Sequence, residues 1–138
     1  MTVIEQARVL RAIICDYAAA SEDKTLVIAV SSYFQDWTWG KFVVGDVRLD
    51  PENGRPYECI TAHDSTVNTD WTIKSRTLWK PYHSRRPEYA LPWEAPTGAH
   101  DMYLSGEYMV WRDGSVYRCK QNTSYDPELW RDAWEVVE

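Results

Sequence analysis

Phenylalanine is nearly missing from this chain of 138 residues, which has 2 Phe against 8 Trp and 9 Tyr. Its apolar interior must therefore be built largely from rings that carry a polar tip, a choice that suits small cores and wet binding surfaces alike. Cysteine is also scarce. Cys15, Cys59 and Cys119 make an odd number with no Cys-x-x-Cys spacing, and His63, His83 and His100 are scattered without metal-ligand spacing. A zinc site is not expected, nor is any cofactor. Runs of lysine or arginine are absent and the formal net charge is −6, which argues against a nucleic-acid or anionic-membrane partner. The cluster Lys80, Arg85 and Arg86 is too short to reverse this. The longest apolar stretch, Leu26 to Val30, is far too short to span a bilayer. Glu5 and Arg8 interrupt the N-terminal segment, so it does not read as a secretory signal. The chain is expected to be made in the cytoplasm and, if it acts outside a cell, to leave by lysis or particle assembly.

Catalytic signatures are missing as well. Ser31, Ser32 and Ser65 lack a Gly-x-Ser-x-Gly context, and no glycine-rich loop suggests a nucleotide. Asp and Glu are abundant but sit in no recognisable acid–base motif. An enzyme is not expected.

What the chain does have is one unusual string of residues written twice. The first copy reads Trp37, Phe42, Gly45-Asp46, Val47, Tyr57-Glu58-Cys59 and Trp79. The second reads Trp93, Tyr103, Gly106-Glu107, Met109-Val110, Tyr117-Arg118-Cys119 and Trp134. Gly45 and Gly106 lie 61 positions apart, and Tyr57–Tyr117 and Cys59–Cys119 each lie 60 apart. A near-constant offset indicates two tandem copies of one small module. Units of about 45 residues bury only a marginal core, and large aromatics are one way to supply it. Cys59 and Cys119 hold the same place in each copy, which suits a buried strand residue better than a bridge between modules.

Before the repeat, residues 2 to about 19 read as a helix. Thr2 and Glu5 form a capping box. Val3, Ala7, Leu10, Ile14 and Tyr17 follow the alternating four-three spacing of a heptad seam. Ser21 and Asp23 can cap a shorter helix from about Glu22 to Tyr33, with Leu26, Ala29 and Val30 on one side. Residues 1–34 are thus a helical region. It either covers a module or, through residues 2–33, joins copies of the chain into a homo-oligomer such as a trimer.

Module one is expected over residues 35–83. Lys41 to Leu49 alternates as a strand, Pro51-Glu52-Asn53-Gly54 turns, Tyr57 to Thr61 returns, and Leu78-Trp79-Lys80 closes the copy. Ser84 to Ala90 reads as a polar linker. Module two is expected over residues 91–138, with a hairpin turning at Asp113-Gly114 and a closing strand at Trp134-Glu135-Val136. The fold class is α+β: a helical segment followed by two tandem, three-stranded, hairpin-based β modules.

The strings Val43–Arg48, Tyr57–His63, Asp70-Trp71-Thr72, Leu78-Trp79-Lys80 and Pro96–Asp101, with the opening helix Ile4–Arg8, carry a resemblance. The pattern resembles the carbohydrate-binding modules of families five and twelve, the small chitin- or cellulose-binding domains attached to many glycoside hydrolases. It is closest in flavour to prophage proteins of Gram-positive bacteria. The resemblance covers nearly the whole chain and implies a tail-associated component of a phage-like virion. Its implied partners are a cell-wall polysaccharide and other tail proteins. One departure matters: ligand-binding members often carry adjacent aromatics just after the second hairpin strand. The matching positions here are Ile60-Thr61-Ala62 and Lys120-Gln121-Asn122.

Sugars present flat C–H patches that stack on aromatic faces, and a rigid Tyr or Trp loses little entropy in stacking. The repeated rings Trp37, Phe42, Tyr57, Trp79, Trp93, Tyr103, Tyr117 and Trp134 are assigned to the two cores. The unrepeated ones are the candidate sugar contacts: Trp71 beside Asp70 in a polar loop, Tyr125 in the corresponding loop of the second copy, and Trp39, Trp111 and Trp130.

Overall fold

The chain opens with a helix whose first turn closes on itself. In the computed structural model, which describes residues 1–138, α1 spans Val3–Ala20 and is capped by the expected box. Thr2 Oγ1 accepts from the Glu5 amide at 3.1 Å and Glu5 Oε2 accepts from the Thr2 amide at 3.0 Å. This satisfies two of the amides that a helix start leaves without partners. Ser21 does not cap a second helix; it terminates α1, and its hydroxyl donates to the Tyr17 carbonyl at 2.8 Å.

The second helix is shorter than expected. α2 spans only Thr25–Ala29, and a 3-10 turn follows at Ser31–Tyr33. Four β-branched residues in Thr25–Val30 and the serine pair after them weaken helix propagation. Its buried face is Thr25, Val27 and Ile28, while Leu26 and Ala29 are exposed. The helices and module one form one compact unit, Met1–Tyr82.

Within that unit the expected strand Lys41–Leu49 is split in two. β1 (Lys41–Phe42) pairs antiparallel with β4 (His63–Asp64), and β2 (Val47–Leu49) belongs to a different sheet. The break is a turn in which Gly45 takes φ +97°, a conformation L side chains rarely adopt. β2, β3 (Pro56–Cys59) and β5 (Trp79–Pro81) form the antiparallel meander, ordered β2-β3-β5. The register, with Arg48 opposite Tyr57 and Cys59 opposite Trp79, puts Tyr57, Cys59 and Trp79 on one face, while Val47, opposite Glu58, lies on the other.

The second unit is His83–Glu138. Its meander is β7 (Tyr108–Val110), β8 (Val116–Cys119) and β9 (Trp134–Val137), with β6 (Leu91–Pro92) added parallel to β7. The sheet therefore has four strands where three were expected. Module one has the same parallel edge contact as a single bridge, Asp36 to Leu49.

The polar stretch after module one is not a linker throughout. Ser84 is fully buried; its carbonyl accepts from the Tyr108 amide at 2.8 Å and its hydroxyl from the Arg86 amide at 2.9 Å. His83, assigned to module one from the sequence, stacks flat on Tyr103 with centroids 3.7 Å apart. Module two therefore begins at His83 rather than at residue 91.

Each module has its own ring core. The first gathers Phe42, Tyr57, Cys59, Ile73, Leu78 and Trp79, with Trp37 and Trp71 packed against it. The second gathers Tyr103, Met109, Trp111, Cys119, Ala133 and Trp134, with Trp93, Tyr117 and Trp130 against it. The duplicate extends to the backbone: the Trp37 amide donates to the Leu49 carbonyl and the Trp93 amide to the Val110 carbonyl, at 2.7 and 2.9 Å. All three cysteines are free. The Cys59 thiol donates to the Thr61 carbonyl and the Cys119 thiol to the Gln121 carbonyl, each two residues onward. No helix is long and apolar enough to cross a membrane.

Candidate ligand-binding surfaces

In module one the loop before β1 carries Trp39, which is 49 % exposed and meets the edge of Trp37 at 4.9 Å. A polar rivet fixes this loop. The buried Ser65 hydroxyl accepts from the Gly40 amide at 2.8 Å and donates to the Gly40 carbonyl at 3.0 Å, and the Ser65 amide donates to the same carbonyl at 2.9 Å. Such fixing lowers the entropy lost when the ring takes up a ligand. Sequence reasoning weighed Ser65 only as a nucleophile and missed this role, because a serine directly after a short strand leaves no distinguishing pattern.

Trp71 is half-buried on the core rather than free in its loop. It meets His63 edge-on at 6.4 Å, and His63 in turn meets Trp79 at 5.8 Å and Phe42 at 5.5 Å. The His63 Nδ1–H donates to the Thr61 carbonyl at 2.7 Å, and its Nε2 is buried without a hydrogen-bond partner. Asp70, beside Trp71, is exposed, and its amide donates to Asn68 Oδ1 at 2.9 Å.

In module two Tyr125 is 58 % exposed on an equally fixed backbone. Its amide donates to Thr123 Oγ1 and its carbonyl accepts from Trp134 Nε1, both at 2.9 Å. Thr123 is itself bound in both directions to the Tyr103 backbone. Trp111, a candidate contact from its strand alternation, instead lies in the core with Arg112 over its ring at 4.7 Å. Trp130 is half-buried against the same core. Of the candidates, then, Trp39 and Tyr125 present the most open rings, Trp71 and Trp130 present part of theirs, and Trp111 is withdrawn.

The loop Pro96–His100 is tied down by Asp101, whose buried carboxylate accepts from the Thr97 amide, the Thr97 hydroxyl and the Gly98 amide at 2.9 to 3.1 Å. The segments after β3 and β8 offer Thr61, Ala62, Lys120, Gln121 and Asn122 to solvent and no ring. A separate groove of about 620 Å³ runs between α1 and Gly45–Arg48, lined by Arg8, Arg11, Asp16 and Asp46 among others; none of the candidate aromatics lines it. Burial pushes the Cys119 thiol from its ordinary 9.0 up to about 11 and raises that of Cys59 in the same direction, which makes both poor nucleophiles.

No protein-family model matches the chain, and a search of the curated proteins finds no significant match.

Proposed function

We propose that this is a non-catalytic carbohydrate-binding protein, a tail-associated component of a phage-like particle that attaches to host cell-surface polysaccharide. The observation that carries the binding reading is the pairing of Trp39 and Tyr125: the most open ring of each module, each on a backbone held by buried side-chain hydrogen bonds. A sugar face can stack on such a ring at low entropic cost. The tail-associated setting rests on the sequence resemblance alone.

Tryptophan fluorescence tests the binding reading. Titration with chitin oligomers and purified wall polysaccharides is expected to change the emission of the chain, with Trp39 as the reporter. An emission unchanged by every glycan would overturn it.

A second reading has one observation in its favour. The segments after β3 and β8, where related sugar-binding modules carry adjacent aromatics, are exposed and ring-free here. On that reading the modules are spacers or protein-docking units of a tail assembly. Unchanged emission, together with capture of another tail protein, would select it.

A further inference from the structure

The first two-thirds of α1 has no cover. Every residue from Val3 to Ile13 is exposed, and burial of the helix begins in its last turns, where Ala18 is buried and the Cys15 thiol donates to the Tyr33 carbonyl at 3.3 Å. A helical stretch of roughly this length is only marginally stable alone in water, so its order calls for a packing partner. The uncovered surface is apolar: Val3 is 80 % exposed, Leu10 58 % and Tyr17 71 %, with Ile4 and Ile13 alongside.

We infer that α1 packs against the same face of α1 from other copies of the chain, in a parallel bundle of three. The heptad seam identifies the occupant. Val3, Leu10 and Tyr17 alternate with Ala7 and Ile14 at three- and four-residue steps, the spacing by which identical helices interdigitate. Its open flanks hold Ile4 and Arg11 on one side and Gln6, Ile13 and Ala20 on the other, while Ala18, next on the first side, is already buried within its own unit. In a parallel bundle one flank of each helix meets the other flank of its neighbour, so Arg11, the single charge on either flank, faces no like charge. That residue also lines the groove that Asp16 and Asp46 line. Isoleucines on both flanks make the stripe wider than a two-helix seam, which favours more than two helices. Three copies related by one closed rotation axis have parallel helices.

The partner is therefore α1 alone, not the whole of residues 2–33, because Val27 and Ile28 of α2 are already buried within their own unit. An anionic lipid surface is a poorer occupant for a chain of net charge −6. The inference stands whether or not the modules bind sugar.

Sedimentation equilibrium of the full chain tests it. The expected mass is three times the 16.1 kDa of the chain, and Leu10→Glu should reduce it to the monomer with the near-ultraviolet tryptophan dichroism retained. Val3→Glu is a second, independent disruption at a fully open position, and Arg8→Glu, off the seam, should leave the trimer intact. A wild-type monomer at every concentration, a dimer, or an unchanged mass for both seam variants would overturn the inference. So would a monomer that co-sediments with phosphatidylcholine–phosphatidylserine vesicles. Since mass is read without any glycan, this result is independent of the fluorescence titration.

Discussion

The Gly45 amide donates to the Cys59 carbonyl at 2.9 Å, and the same bond recurs sixty-odd residues later from Gly106 to Cys119 at 2.8 Å. Both glycines have positive φ, +97° and +93°. Each bond anchors the turn that sends the chain from the second repeated ring of its module, Phe42 or Tyr103, into the meander.

Replacing either glycine by alanine should destabilise its own module by about 1–2 kcal/mol, the cost of a side chain at such a φ. A Cβ at Gly45 meets nothing within 4 Å, and one at Gly106 meets the flexible end of Arg85 at 3.0 Å. Backbone strain rather than a clash therefore sets both costs. Urea unfolding should show similar losses for the two variants, and a loss in only one would contradict the equivalence of the modules.

His83 is a core residue of module two. Its ring stacks on Tyr103, Tyr103 stacks on Trp93 at 5.0 Å, and its Nδ1–H donates to Glu107 Oε1 at 3.1 Å. Loss of the buried ring in His83→Ala should cost about 2–4 kcal/mol by denaturant unfolding. A linker residue would cost a few tenths at most.

Lys74 holds the buried carboxylate of Asp50 at 2.5 Å and reaches Glu52 at 2.9 Å. The bond to Asp50, then that to Glu52, raises the lysine's pKa above its ordinary 10.5. Lys74→Ala leaves a buried carboxylate without its cation. The loss should be about 1–3 kcal/mol, below that of a fully buried pair because half of the lysine is exposed. The denaturant midpoint checks this.

The buried thiols make the fold sensitive to alkali. The folded pKa of Cys119 lies above its unfolded value, so the native state holds the proton more tightly. Its contribution is whole below pH 9 and is lost as the pH rises toward about 11. Stability should therefore fall over that window and fall less in Cys119→Ala. At neutral pH, iodoacetamide should label Cys59 and Cys119 only on unfolding.

How much of this was legible in the sequence depends on what each residue signals locally. The capping box was readable because Thr2 and Glu5 bond across three residues of their own chain. The module cores were readable because repetition marks the rings. The split of Lys41–Leu49 was not, since an alternating pattern continues through Gly45 and only its φ reveals the turn. Ser84 was misread for a different reason: a polar residue was equated with solvent, yet its polar atoms are satisfied inside. Trp111 could not be assigned because alternation names two strand faces without saying which is covered. The rivet at Ser65 joins residues 25 positions apart and left no local trace.

Calorimetric titration of the chain with a glycan that alters its fluorescence reads whether Trp39 and Tyr125, the most open ring of each module, are the two binding rings. Two sites per chain are predicted, falling to one in Trp39→Ala, to one in Tyr125→Ala, and to none in the double variant. Binding heat and stoichiometry unchanged in the double variant would contradict it.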